Sequence, residues 1–513
     1  MWVYPEIRTL ADIPRYHARI RPSQPAVTFE NRCLDFTGLD RNSSRVAHAI
    51  IASGLPAESR IGYFGRNCIE LAEILFGAAK AGHAFMPLNW RLAPREAAAI
   101  IANSECRLLF VDDALGESFD AALAFLPDPP RIIRFAANGT PWLGGFADES
   151  DDKDPALPIP ESRTALQMYT SGTTGLPKGV ELAHAGFTFM RLIEHLEPEA
   201  TWAPGDSFLM FMPNFHMSGV GWLIQCLYNG MTVIALPQFE PAAVIEAIAR
   251  TRPSLMIIVP TALQILLDHE RAAATDFTCF KLVVYAGSQM PLPLIEKALA
   301  RMQCGFLNCY GATELLSTAT WLRPSQHDLS DSERLKSVGT ACRLVDIRLL
   351  DSEGREVADG EVGEIVVRMA PAFKGYWRNP EATAAVMRNG WYHTGDAAVR
   401  DAQGYYCLKD RIKDMIVSGG ENIYSSEVEA ALVKHPAVAE VAVIGVPDPR
   451  WGEAVKALVI PMAGERPSPD ALIAFAREHI AGYKVPKSIE FVDDFPRTPS
   501  GKVQKAKLRS IYG

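Results

Sequence analysis

Between residues 169 and 180 the chain reads Tyr169-Thr170-Ser171-Gly172-Thr173-Thr174-Gly175-Leu176-Pro177-Lys178-Gly179-Val180, with four aliphatic hydroxyls, three glycines and one lysine in twelve residues. Glycines let a backbone approach a phosphate closely, while hydroxyls and amide N–H groups donate to its oxygens. A lysine adds a mobile positive charge. The composition is that of a phosphate-gripping loop. It is not a Walker loop, because Pro177 stands five residues after Gly172, where that motif needs a second glycine followed by lysine. A flexible polar turn between two strands is the plain alternative, but ordinary turns rarely gather so many phosphate donors.

Other stretches carry side chains suited to a nucleotide and an acid. Tyr310-Gly311-Ala312-Thr313-Glu314 offers a ring to stack on a purine, a hydroxyl for a phosphate and a hard carboxylate for a divalent cation. Gly395-Asp396 sets a carboxylate after a glycine turn, and residues 409–414 form a charge run with Arg411 and Lys413. Phe215, His216 and Met217 lie in an apolar run, 210–219, that by itself reads as a core strand with one satisfied histidine. Ala286-Gly287-Ser288 reads as a tight turn after a strand, a place where α/β sheets bind ligands. Lys502 on a glycine turn near the C-terminus would ordinarily be solvated.

The elements that must position these residues follow a strand–helix alternation. Strands are expected at 61–64, 84–87 and 108–111, with helices at 70–80 and 94–102. Leu71, Ile74, Leu75 and Ala78 fall on one face of the first helix. That is the pattern of an α/β fold with largely parallel strands. Further strands are expected at 254–259 and 281–285, with helices starting at Pro260 and at Pro291 or Pro293. Residues 149–162 read as a surface connection. After residue 410 a small α+β unit follows, with strands at 438–445 and 455–460, helices at 427–434 and 469–480, and Ser425 and Ser426 as helix caps.

Composition bounds the function. At 513 residues the chain needs more than one core. A net charge of −9 argues against a nucleic-acid binder. Nine cysteines without CxxC or His spacing argue against structural zinc and disulfides and for a reducing, cytoplasmic setting. No signal peptide and no 18-residue apolar stretch are visible, so no transmembrane segment is expected, while peripheral membrane contact and a homodimer stay open.

The motifs, in this order, resemble those of the adenylate-forming superfamily: acyl- and aryl-CoA synthetases, luciferases and peptide-synthetase adenylation domains. Tyr310–Glu314 begins 141 residues after Tyr169 (310 − 169) and matches that family's second signature in full. The resemblance runs from about residue 10 to residue 510 and implies a large N-terminal adenylation domain, 1–410, and a small mobile α+β domain, 411–513, hinged at 410–414. It implies that Thr170, Ser171, Gly172, Thr173, Thr174 and Lys178 hold ATP phosphates, and that Thr170 and Glu314 lie at Mg²⁺. Ala286, Gly287, Ser288, Tyr310, Gly311 and Thr313 would pass the adenine and α-phosphate. Asp396 would accept the ribose hydroxyls, Arg411 would contact ribose or phosphate, and Lys413 would be the pivot. Asp410 stands where the family has glycine.

In the same family Lys502 would be the adenylation lysine. Phe215, His216, Met217 and Trp222 would meet the acid, and Gly420 and Glu421 would line the path of coenzyme A. The absence of Asp from 213–223 counts against an α-amino acid, and the absence of Lys and Arg from 208–222 counts against a second carboxylate. The expected activity is an ATP- and CoA-dependent carboxylic acid–CoA ligase acting on a medium- or long-chain fatty acid. An aryl, cinnamic or steroid side-chain acid, or a carrier protein as acceptor, is the alternative.

Overall fold

The computed structural model describes residues 4–137, 146–148, 150–170, 177–200, 202–370, 373–418, 421–497 and 503–513. Residues 171–176, 419–420 and 498–502 lie outside that set, and with them Ser171, Gly172, Thr173, Thr174, Gly420 and Lys502. The chain forms two compact units, one of residues 1–346 and 368–390, the other of 347–367 and 391–513.

Among the described residues the first unit holds a seven-stranded and a nine-stranded sheet. In the smaller sheet Arg60–Phe64 pairs in parallel with Ala84–Pro87 and Leu108–Asp112. The hairpin Thr164–Thr170/Lys178–Ala183 joins it beside Ala84–Pro87, and Phe373–Tyr376 closes that edge antiparallel to Lys178–Ala183. Helix Ile69–Lys80 is buried on every face rather than on the single apolar face expected. Its polar side chains are answered one by one: Glu70 pairs with Arg32 at 2.6 Å, Glu73 accepts from Asn42 at 2.6 Å, and Lys80 Nζ reaches Asp40 Oδ1 at 2.5 Å. Buried charges persist only when paired in this way.

In the larger sheet Ser207–Met210, Leu255–Ile258, Leu282–Ala286 and Gly305–Tyr310 are parallel neighbours. Their carboxyl ends therefore fall along one edge, and the segments that follow them emerge side by side. The run 210–219 is a strand only as far as Met210. Met217–Gly221 is a π-helical turn that leads directly into helix Trp222–Tyr228. A Cβ at Gly219 would lie 2.1 Å from the Pro213 carbonyl oxygen, so the turn closes only with glycine there. π-turns of this kind gather at functional sites.

In the second unit Val362–Arg368, Trp391–Arg400 and Tyr406–Arg411 form antiparallel pairs. A further sheet pairs Val438–Asp448 with Gly452–Pro461, and helices Ser425–Leu432 and Pro469–His479 contribute Val428, Leu432, Leu472 and Ala476 to one core with it. Ser425 is the first residue of its helix and not a cap. Its hydroxyl donates to Asp410 at 2.5 Å, and the same carboxylate accepts from the Ser426 N–H at 3.3 Å. Asp410 thus anchors a helix N-terminus, which accounts for an acid where a glycine is expected. All nine cysteines are unpaired, and among the described residues no helix is long and apolar enough to cross a membrane.

Candidate functional site

In the first unit, Thr170 and Lys178 face one another as the last described register pair of their hairpin. The Lys178 ammonium lies 5.0 Å from the centroid of the Tyr376 ring, within cation–π range. Tyr376 Oη donates to Glu314 Oε1 at 2.6 Å, and Glu314 is buried. The hairpin lysine, the acid of the second motif and a tyrosine from an edge strand are thus brought to one place. The sequence reading missed Tyr376. Its only local mark is the Gly375-Tyr376-Trp377 stretch, because its acid partner stands 62 residues away.

The chain turns sharply behind Glu314. A Cβ at Gly311 would sit 2.5 Å from the Ser317 carbonyl carbon and 2.6 Å from the Thr318 nitrogen. Thr313–Leu315 is a single 3-10 turn, and the next two residues, Leu316 and Ser317, have φ of +52° and +59°. Tyr310 ends its strand and Ala286 ends the neighbouring one, with Gly287 following at φ +91° and Ser288 exposed.

Leu316, Ser317 and Thr318 line a cavity of about 50 Å³ together with Ala286, Met217 and Trp222. Phe187, Met190, Trp321, Glu194 and Gln225 complete much of the wall. Phe215 and His216 stand just before this wall, their rings 4.7 Å apart, and Trp90 meets Phe215 edge-on at 6.2 Å. Asn214, fully buried, donates to the Gly65 carbonyl at 2.9 Å and ties the segment to the other sheet. Glu194 and Gln225 also escaped the sequence reading; Gln225 is visible as a polar residue inside an apolar stretch (Leu223-Ile224-Gln225-Cys226-Leu227), whereas Glu194 stands among Arg191, His195 and Glu197 and carries no such mark.

In the second unit, Asp396 and Arg411 are register partners, with Arg411 Nε 2.7 Å from Asp396 Oδ1. The glycine turn expected before Asp396 is instead a bulge within the strand Trp391–Arg400, held by Glu364, whose carboxylate meets His393 Nδ1 at 2.7 Å and accepts from the Gly395 N–H at 3.1 Å. Gly395 has φ +71°, in the left-handed region, which this strand bulge uses. Lys413 lies in the 3-10 turn Ile412–Asp414, and burial lowers the pKa of its ammonium against the opposing pull of Asp414. Glu421 is exposed at the start of a short strand. Lys505 is a structural partner of Glu429, 2.7 Å away.

Comparison with known proteins places these units in context. Residues 15–377 match the family described as AMP-binding enzyme, and residues 427–502 match the AMP-binding enzyme C-terminal domain. A fatty acid–[acyl-carrier-protein] ligase, ScoC, of Streptomyces coeruleorubidus is 38% identical over 99% of this chain and 97% of its own length. A feruloyl-CoA synthase of an Amycolatopsis species is also 38% identical, over 98% of this chain and 99% of its own. Among solved structures, the anthranilate CoA ligase AuaEII in complex with anthranoyl-AMP has a TM-score of 0.87 at 26% identity, covering 99% of this chain and 98% of that one.

Proposed function

This chain belongs to the family of AMP-binding enzymes and is an acid–thiol ligase of its acyl-CoA synthetase branch, and from that premise we propose that it converts a compact aromatic acid to its CoA thioester through an acyl-adenylate. The observation that carries this reading is the convergence of Lys178, Tyr376 and Glu314, the last of which stands two residues before Leu316 on the cavity wall.

Chemistry dictates two steps. A carboxylate resists thiol attack because oxide would have to leave. Attack of the carboxylate on the α-phosphate of ATP expels pyrophosphate and leaves a mixed anhydride. The CoA thiolate then attacks the acyl carbon and AMP departs. The first step drives two anions together, so it needs positioning and charge neutralisation.

Lys178 and the hairpin loop would neutralise the leaving phosphates, and Lys502 would bridge the attacking carboxylate and the α-phosphate. Thr170 and Glu314 would hold Mg²⁺, which would supply positive charge against the negative charge of the phosphates. Among the described residues no cluster of three or more His, Cys, Asp or Glu groups could hold a metal ion. A single protein carboxylate nevertheless suits Mg²⁺, which takes most of its ligands from water and phosphate. Tyr310 and the 286–288 turn would receive the adenine, and Thr313 the α-phosphate. Asp396, oriented by Arg411, would accept the ribose hydroxyls. A pivot at 410–414 about Lys413 would withdraw Lys502 after adenylation and bring Gly420 and Glu421 to the thiol. Such closure keeps the adenylate from water between steps.

Of the acyl classes that the sequence leaves (fatty, aryl or cinnamic, and steroid side-chain acids), the cavity supports the aromatic one. A dry cavity of about 150 Å³ is what holds a benzene ring. This one, at about 50 Å³, is smaller still, and the flexible side chains of Met190 and Met217 lie on its wall. Two methionines can yield to a ring, whereas a long chain would need a tunnel.

The test is acid-dependent AMP release with and without CoA, across C6–C18 fatty acids, benzoates, cinnamates, malonate and a steroid acid. CoA-stimulated release with the aromatic acids supports the proposal. Release that CoA does not stimulate points to a carrier protein as acceptor. Release with fatty acids alone overturns the aromatic assignment.

A further inference from the structure

Polar side chains interrupt the apolar wall of the cavity, and they differ in how they are satisfied. Glu194 is answered: its Oε2 accepts from Arg191 Nη1 and Trp202 Nε1 at 3.2 Å each, and from Asn229 Nδ2 at 3.4 Å. Gln225 is not. It is 6% exposed, and neither its Oε1 nor its Nε2 has a hydrogen-bond partner. Trp321 is 2% exposed, and its Nε1 has no partner either. Buried amide and indole groups are rarely left in this condition, because they lose water without replacing it. The wall they share also contains Leu316 and Ser317, consecutive non-glycine residues at φ +52° and +59°. Backbone strain of this kind collects at ligand sites.

We propose that the acid carries a hydroxyl group remote from its carboxylate and that Gln225 receives it, so that the substrate is a hydroxylated aromatic carboxylic acid. This rests on reading the cavity as the acid's site. A carboxamide unpaired at both ends needs a group that donates and accepts at once, and a phenolic hydroxyl does both. A second carboxylate only accepts, and it would face Glu194. An ammonium only donates and would leave Gln225 Nε2 unanswered. Trp321 Nε1 donates only, so a ring oxygen also suits it. The thioethers of Met190 and Met217 make favourable contacts with an aromatic ring.

The experiment compares matched pairs of acids with the full-length chain, MgATP and CoA: benzoate against 3- and 4-hydroxybenzoate, and cinnamate against 4-hydroxy-, 4-methoxy- and 4-aminocinnamate. The hydroxylated member should win by about 10-fold or more in kcat/KM, since a site built to pair a hydroxyl rejects the analogue that lacks it. In Gln225→Leu that ratio should collapse to within about 2-fold, while Tm stays level or rises, because an unpaired buried amide has been replaced by an apolar group. If Gln225→Leu does not fold, Trp321→Phe serves, with a smaller fall in the same ratio. Equal use of both members of each pair by the wild type, with AMP release intact, overturns the inference and leaves the ligase reading standing. A ratio that survives in Gln225→Leu also overturns it. Failure of every acid to release AMP is failure of the ligase reading itself.

Discussion

Tyr376 Oη donates to Glu314 Oε1 at 2.6 Å, joining an edge strand of one sheet to the turn that ends a strand of the other. Hydrogen bonds to a carboxylate are worth about 1.5–3 kcal/mol, so this one fixes where the acid of the second motif points. Tyr376→Phe should lower kcat for adenylation about 10- to 100-fold and raise the Mg²⁺ concentration needed for half-maximal rate. Glu314→Gln should cost more than Tyr376→Phe, since it removes the charge as well as the acceptor. Wild-type kcat and Mg²⁺ dependence in Tyr376→Phe would mean that the bond only packs the edge strand.

The Asp396–Arg411 pair gives a second expectation. If Asp396 accepts the ribose hydroxyls, Asp396→Ala should raise KM for ATP about 10- to 100-fold and leave KM for the acid near its original value. Arg411→Lys should fall between wild type and Asp396→Ala, because an ammonium cannot reproduce the planar fork of a guanidinium. Steady-state kinetics with ATP and acid varied separately decide it. Parallel rises in both KM values would assign the pair to folding of the second unit.

Gly219 tests the π-turn. An alanine there would place Cβ 2.1 Å from the Pro213 carbonyl oxygen, and that atom belongs to backbone that cannot swing aside. Gly219→Ala should cost about 1–3 kcal/mol of stability and raise KM for the acid, since Met217 on the cavity wall opens the same turn. Thermal denaturation read beside acid kinetics checks both effects. An unchanged Tm would show that the turn relaxes without loss.

Acid should loosen the N-terminal helix Asp12–Ile20 and its flank. Burial pushes His184 down to about 3, and its Nδ1 accepts from the Leu10 N–H at 3.1 Å. Burial likewise pushes His17 down to about 4, with Nδ1 against Arg21 and Nε2 3.0 Å from the Tyr228 carbonyl. An unfolded histidine titrates near 6.5. The unfolded chain therefore binds more protons between pH 6.5 and the folded values, and stability falls as pH falls through that window. Each group contributes a slope of about 1.4 kcal/mol per pH unit, with its stabilisation fully present above pH 6.5. His184→Asn keeps an acceptor near Nδ1 but cannot titrate, so it should flatten the slope in urea denaturation followed from pH 7 to pH 4. An unchanged slope would assign the acid sensitivity to other groups.

Much of this protein was determined by local sequence. The alternation of apolar runs and helical periodicity between residues 60 and 112 set the order Arg60–Phe64, Ile69–Lys80, Ala84–Pro87, Pro94–Ser104 and Leu108–Asp112, because hydrophobic period decides element type. The chemical identity of the motifs was equally local. A hydroxyl- and glycine-rich stretch ending in Lys178, a Tyr-Gly-Ala-Thr-Glu run and a Gly-Asp turn state their chemistry without reference to partners.

The partners were decided by tertiary structure alone. Nothing near Glu314 in the chain announces Tyr376. Nothing near Asp410 announces Ser425, and Gln225 looks like one polar residue in an apolar helix until Trp321 closes the same cavity. Helix Ile69–Lys80 shows the same limit, since its period marks one apolar face and only the sheets and helices around it bury the others. The physical reason is common to all four. A backbone's local preferences are written in neighbouring residues, but the surroundings of a buried polar group are whatever segment packing delivers to it, here from 15 residues away (Asp410 and Ser425) to 62 (Glu314 and Tyr376).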